Sequence, residues 1–161
     1  MELQVDGKNV FAATGGKPFD ATLPVVVFVH GAGMDHTVWA LQTRWFAWHG
    51  RSVLAVDLPG HGKSDGPALE TIDEIGAWLN RLVQATGAEN ASLVGHSMGA
   101  LAALAAAAPS ALKDLRVGWN SSDDSLARLP DFGLPGLRRL NLAGCRNVTD
   151  AGLAHLSGLA G

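Results

Sequence analysis

Apolar residues change their spacing several times along this chain, and each change marks an element. Leu3 and Val5, then Val10 and Ala12, alternate with neighbours around Asp6-Gly7, which predicts a hairpin over residues 1 to 13. Leu23 to Val29, with Pro24 near its start, is a β-branched run of the kind found in buried parallel strands. Thr37 to Trp48 reads as helix and Ser52 to Val56 as a second buried strand. Ile72, Ile75, Leu79, Leu82 and Val83 recur at helical spacing, predicting a helix over Ile72 to Ala85. Ala91 to Val94 is a third short strand, and Met98 to Ala108 an Ala/Leu-rich helix closed by Pro109. Strands alternating with helices imply a parallel sheet with right-handed crossovers.

The rhythm changes after Ala111. Leu112, Leu115, Val117 and Asn120 follow L-x-x-L-x-L-x-x-N, and Leu137, Leu140, Leu142 and Cys145 follow L-x-x-L-x-L-x-x-C, 25 residues later. Leu126 and Leu129 echo Leu153 and Leu156. This spacing resembles the leucine-rich repeat, and CRNVTDAGLAHL resembles its cysteine-containing subtype. The resemblance implies strands at Leu115 to Val117 and Leu140 to Leu142. Two repeats fall short of the three or so that make an independent solenoid. They are therefore expected to lean on the preceding sheet, with Leu115 to Val117 added beside Ala91 to Val94 as one hybrid sheet.

Three motifs in the first part carry chemistry. GHSMG, residues 95 to 99, lies between a strand and a helix. That context makes it a nucleophile elbow: Ser97 sits on a sharp turn, Gly95 and Gly99 let strand and helix pass closely, and the Met98 N–H faces the developing oxyanion. HGAGM, residues 30 to 34, follows the first buried strand, with Gly31 and Gly33 able to turn the backbone towards substrate. DLPGHGKSD, residues 57 to 65, closes the next strand, where Asp57 is expected to bond its own loop.

Together these motifs resemble the opening half of an α/β-hydrolase over residues 1 to 111. The resemblance implies a three-layer α/β core with a parallel sheet, truncated here and continued or capped by two repeat units over 112 to 161. It implies Ser97 as nucleophile and the Ala32 and Met98 N–H groups as the oxyanion hole. His30 reads as structural, because the family's base follows the nucleophile in the chain. His96 is pinned beside the elbow, His61 reads as structural, and His36 and His49 as surface residues. After Ser97 only His155 remains as a base, in repeat-like sequence, and no carboxylate stands at the end of a later strand. The triad therefore reads as incomplete. The function expected is a serine hydrolase of the esterase type, weakly active or inactive. The alternatives are a non-catalytic scaffold with a repeat face for a protein partner, and a chimera or fragment without evolved function.

Composition narrows the classes. Hydrophobic residues are 47% of the 161, enough for a folded core, and the net charge is -3 with no basic run. Nucleic-acid binding, which needs clustered Lys and Arg, is not expected. The single cysteine, Cys145, excludes an internal disulfide and suits a reducing compartment. The start MELQVDGKNV has neither the charge nor the apolar stretch of a signal peptide. A cytoplasmic protein acting on a small ester-like substrate is expected, with no cofactor, metal or membrane partner.

Overall fold

Five consecutive buried residues, Val25–Val29, form β3, an interior strand of a five-stranded sheet. The computed structural model describes residues 1–107, 114–116, 122–127, 129–132, 139–142 and 146–156. The chain divides into two units, Met1–Ala106 and Ala107–Gly161.

In the first unit the hairpin β1 (Glu2–Val5) and β2 (Lys8–Ala13) turns at Asp6 and Gly7, both at positive φ (54° and 72°). This is the pairing that an Asp-Gly turn favours. β4 (Ser52–Val56) and β5 (Ala91–Gly95) flank β3 in parallel, Val27 opposite Leu54 on one side and Leu93 on the other. β2 joins β4 antiparallel, giving the order β1-β2-β4-β3-β5. The helix expected from Thr37 begins as a 3-10 turn, His36–Trp39, capped by Asp35, and continues as α1 (Ala40–Trp48). α2 (Ile72–Ala85) starts at a capping box in which Thr71 and Glu74 satisfy each other's backbone N–H. α3 (Met98–Ala107) follows the elbow.

Alternation along β3 divides the core. Val25, Val27 and Val29 face one cluster with Leu54, Val56, Leu79 and Leu82 of α2, and Ala102 and Ala106 of α3. Val26 and Phe28 face the other with Val53, Ala55 and Ala47 of α1. Helices thus cover both faces, which is why these strands are apolar throughout. The chain leaves β3 for β4 on one side and returns past β3 to β5 on the other. This reversal opens a crevice at the carboxyl ends of β3 and β5.

In the second unit β6 (Asp114–Arg116) and β7 (Arg139–Asn141) pair in parallel, Leu115 opposite Leu140, 25 positions apart. A parallel bridge joins Ser122 and Asn147 at the same offset. α4 (Asp123–Ala127) is followed by a 3-10 turn, Leu129–Phe132, and α5 (Asp150–Ala154) by His155 at its C-cap. Leu126 and Leu129 are buried, whereas Leu153 is 44% exposed. Among the described residues the hybrid sheet expected from sequence is absent. β6 pairs with β7 in a separate sheet, and among the described residues β5 pairs with β3 alone. The repeated spacing gives β6 and β7 the same pattern, so they pair in register with Leu115 opposite Leu140. Leu112, Val117, Asn120, Leu137 and Cys145 lie outside the described residues. Among the described residues no helix is long and apolar enough to cross a membrane.

Candidate active site

The crevice at the ends of β3 and β5 is where the elbow stands. β5 ends at Gly95, His96 continues its pairing through an N–H bond to the Val29 carbonyl (3.1 Å), and Ser97 turns the chain with φ 53°. A non-glycine residue in this left-handed region is strained, and the strain persists because the surroundings leave no alternative. Those surroundings are glycines. A Cβ on Gly95 would lie 2.2 Å from the Gly99 carbonyl oxygen, and one on Gly99 2.3 Å from the Val29 oxygen. β5, α3 and the end of β3 therefore approach to a distance that no other residue permits. The Gly99 N–H bonds the His96 carbonyl at 2.9 Å and Ala100 that of Ser97 at 2.9 Å, locking the turn. Ser97 is exposed. Met98 opens α3, so its N–H is among the first-turn donors that no intrahelical carbonyl can take.

The loop after β3 abuts this turn. A Cβ on Gly31 would come within 3.2 Å of the Ser97 Cβ. The Met34 N–H returns to the Gly31 carbonyl (3.3 Å), Gly33 has φ 68°, and Ala32 between them is exposed. His30 holds this loop from beneath. Its ring is fully buried and its Nε2 accepts the Leu58 N–H at 3.0 Å. Its Nδ1 must then carry the proton, which it donates to the Gly31 carbonyl at 2.8 Å. Burial lowers the His30 pKa, with the neighbouring His61, whose ring lies 5.1 Å away, adding to that effect. His30 is thus a neutral clamp between the β3 loop and the β4 loop.

Asp57, at the end of β4, is fully buried. Its carboxylate accepts the His36 N–H (2.7 Å) and the Lys63 N–H (2.9 Å) and faces His36 Nδ1 at 2.9 Å. The Ser64 hydroxyl donates to the Asp57 carbonyl. His36 is therefore not the free surface residue that its sequence position suggests: its side chain is only 15% exposed and is paired. No spacing signal marks a pair 21 residues apart; only the folding of the β3 loop over the end of β4 creates it. Asp35, His36 and Asp57 bring ligand-type atoms within 4.8 Å of one another. Asp35 accepts from the Thr37 hydroxyl and N–H, whose bonds lower its pKa.

This histidine and carboxylate do not complete Ser97. They lie on the β4 side, with the His36 ring 4.7 Å from Phe11 of β2, whereas Ser97 follows β5 across β3. His96 is exposed beside the elbow and His61 bonds the Pro59 carbonyl. His155 belongs to the second unit, where it is exposed and Asp123 is a charged neighbour.

Comparison with known proteins places this geometry. The model of a family described as the alpha/beta hydrolase family matches residues 26–158, running through the segment read above as repeats. A non-heme chloroperoxidase of Streptomyces lividans is 39% identical over 95 residues, 58% of this chain and 33% of the relative. A dihydrolipoyllysine-residue acetyltransferase component of an acetoin cleaving system from Cupriavidus necator is 39% identical over 98 residues, 59% of this chain and 24% of the relative. Among solved structures, epoxide hydrolase A from Mycobacterium thermoresistibile superposes with a TM-score of 0.58 at 27% identity, covering 72% of this chain and 37% of that one. The chain spans about a quarter to a third of the length of these two sequence relatives.

Proposed function

The chain belongs to the α/β-hydrolase family, and on that premise we propose that it carries an esterase-type serine hydrolase site with Ser97 as the nucleophile. The observation that carries this reading is the strained φ of Ser97 between two glycines that admit no side chain. Such a turn lifts the hydroxyl clear of the sheet and directs the following N–H to the same side. Ser97 would attack an acyl carbon. The Met98 and Ala32 N–H groups would hold the oxygen on which negative charge develops, in a loop whose Gly31 carbonyl is fixed by two donors. Serine at its ordinary pKa is a poor nucleophile without a base. Among the described residues of the first unit, the one histidine paired with a carboxylate is His36, and it stands on the wrong side of β3. Activity is accordingly expected to be weak, at the roughly 10³-fold level over water that oxyanion donors and binding retain without a triad. The substrate class is a small neutral ester, with no cofactor. A fluorophosphonate probe tests the reading: slow labelling of the parent and none of Ser97→Ala supports it, while equal labelling of both refutes it.

A second reading has its own observation. β6 and β7 pair in parallel at a 25-residue offset that the Ser122–Asn147 bridge repeats. This favours a leucine-rich-repeat pair over residues 112 to 161, serving as a face for a protein partner.

A further inference from the structure

α1 is apolar on both sides, which is unusual for a helix on the outside of a sheet. Inward, Ala47 is buried and Phe46 meets Phe28 edge-on at 5.6 Å. Outward, Leu41 is 81% exposed, Trp45 56% and Trp48 59%. These three and Arg44 line one shallow open depression, as residues spaced by three, four and seven on a helix do. A helix apolar all round is normally covered.

The exposed rings are held in place. Trp45 stacks on His49 at 4.0 Å, and Lys17 Nζ lies 4.4 Å over the Trp48 ring. Little side-chain freedom remains to be lost on binding. Along this stretch the charge has one sign. From Ala40 to Arg51 the chain carries Arg44 and Arg51 and no carboxylate, and Lys17 adds a third cation, although the chain's net charge is -3.

We propose that the outer face of α1 seats this protein peripherally on a lipid surface bearing anionic headgroups. Tryptophan settles at the boundary between headgroups and acyl chains, and Lys and Arg beside it meet the phosphates. The patch is too small for a second copy. Its three side chains expose roughly 400 Å² together, about half of what each partner buries in a stable dimer. From sequence no membrane partner is expected, because the longest apolar stretch, around Met98 to Pro109, is too short to span a bilayer, but a seat needs only a short helix face.

The test mixes the full chain with vesicles of phosphatidylcholine alone and of equal parts phosphatidylcholine and phosphatidylglycerol, then pellets them. Binding to the anionic vesicles should be roughly tenfold tighter or more, and should weaken with salt. Trp45→Ser with Trp48→Ser, and separately Arg44→Glu, should each weaken it about tenfold. Their melting temperatures should match the parent, since these side chains are exposed; if the double variant does not fold, Arg44→Glu decides. Equal binding to both vesicles, or binding unmoved by Arg44→Glu, overturns the proposal. So does a concentration-dependent dimer that the two serines abolish, which would make a second copy the occupant. Absence of vesicle binding likewise overturns it and leaves the face to a protein.

Discussion

Replacing Gly99 by alanine tests whether the elbow is packed as described. The added Cβ would lie 2.3 Å from the Val29 oxygen and 2.5 Å from the His30 oxygen. Both are main-chain atoms at the end of β3, so no rotamer change can make room. The end of β3 or the start of α3 must shift, and that shift also disturbs the Gly31 loop. Overpacking of this kind costs about 1–3 kcal/mol, and rigid backbone puts Gly99→Ala near the upper end. For a folding unit of this size about 3 kcal/mol lowers the melting temperature by roughly 12–20 °C. Valine should cost more, to the point of loss of soluble protein. Gly87→Ala is the control: Gly87 has φ 73° but open space around its Cα, so it reports left-handed strain alone, about 1 kcal/mol. Thermal unfolding by circular dichroism reads all three proteins. A Gly99→Ala variant melting within about 2 °C of the parent, or above Gly87→Ala, would refute the close approach of α3 to β3.

Ser97→Gly removes the strain of φ 53° and should raise stability by about 0.5–1 kcal/mol after the entropy of an added glycine is subtracted; a melting point below the parent would contradict a strained elbow. His30 has a folded pKa below its ordinary 6.5, so the unfolded chain takes up the proton first. The His30 contribution to stability should therefore be level above about pH 6.5 and fall as pH drops below it, until the lower folded value is passed. His30→Gln should flatten that slope in pH-dependent denaturant titrations and cost about 1–3 kcal/mol at pH 8 by disturbing the Leu58 N–H; an unchanged slope would show that the ring is not the clamp. Asp57→Asn, which replaces an acceptor oxygen facing an N–H donor, should destabilise by about 1–3 kcal/mol. Its ¹⁵N spectrum should show the Lys63 amide moved, and an unmoved amide would refute the bond.

Local pattern decided most of the elements. β4 and α2 fall where the apolar spacing places them, because a β-branched run and a 3.6-residue stripe each serve one period. The glycines of GHSMG were legible as a turn, yet which atoms they make room for was not. That depends on β5 lying beside β3, which brings the Val29 and His30 carbonyls under Gly99. The pairing of His36 with Asp57 was hidden for the same reason: it needs the β3 loop to fold over the end of β4, and no residue announces its partner 21 positions away. The partner expected for β6 was taken from the edge of the sheet at β5, whereas among the described residues β6 pairs with β7, the strand that repeats its pattern in the chain, with Leu115 opposite Leu140. The outward tryptophans of α1 were overlooked because periodicity finds one apolar face, and this helix has two. Sequence by itself thus determined the elements, the alternation that builds two-sided strands, and the residues of the elbow. Tertiary structure alone decided which loops meet, since strand order is set by crossovers whose contacts lie far apart along the chain.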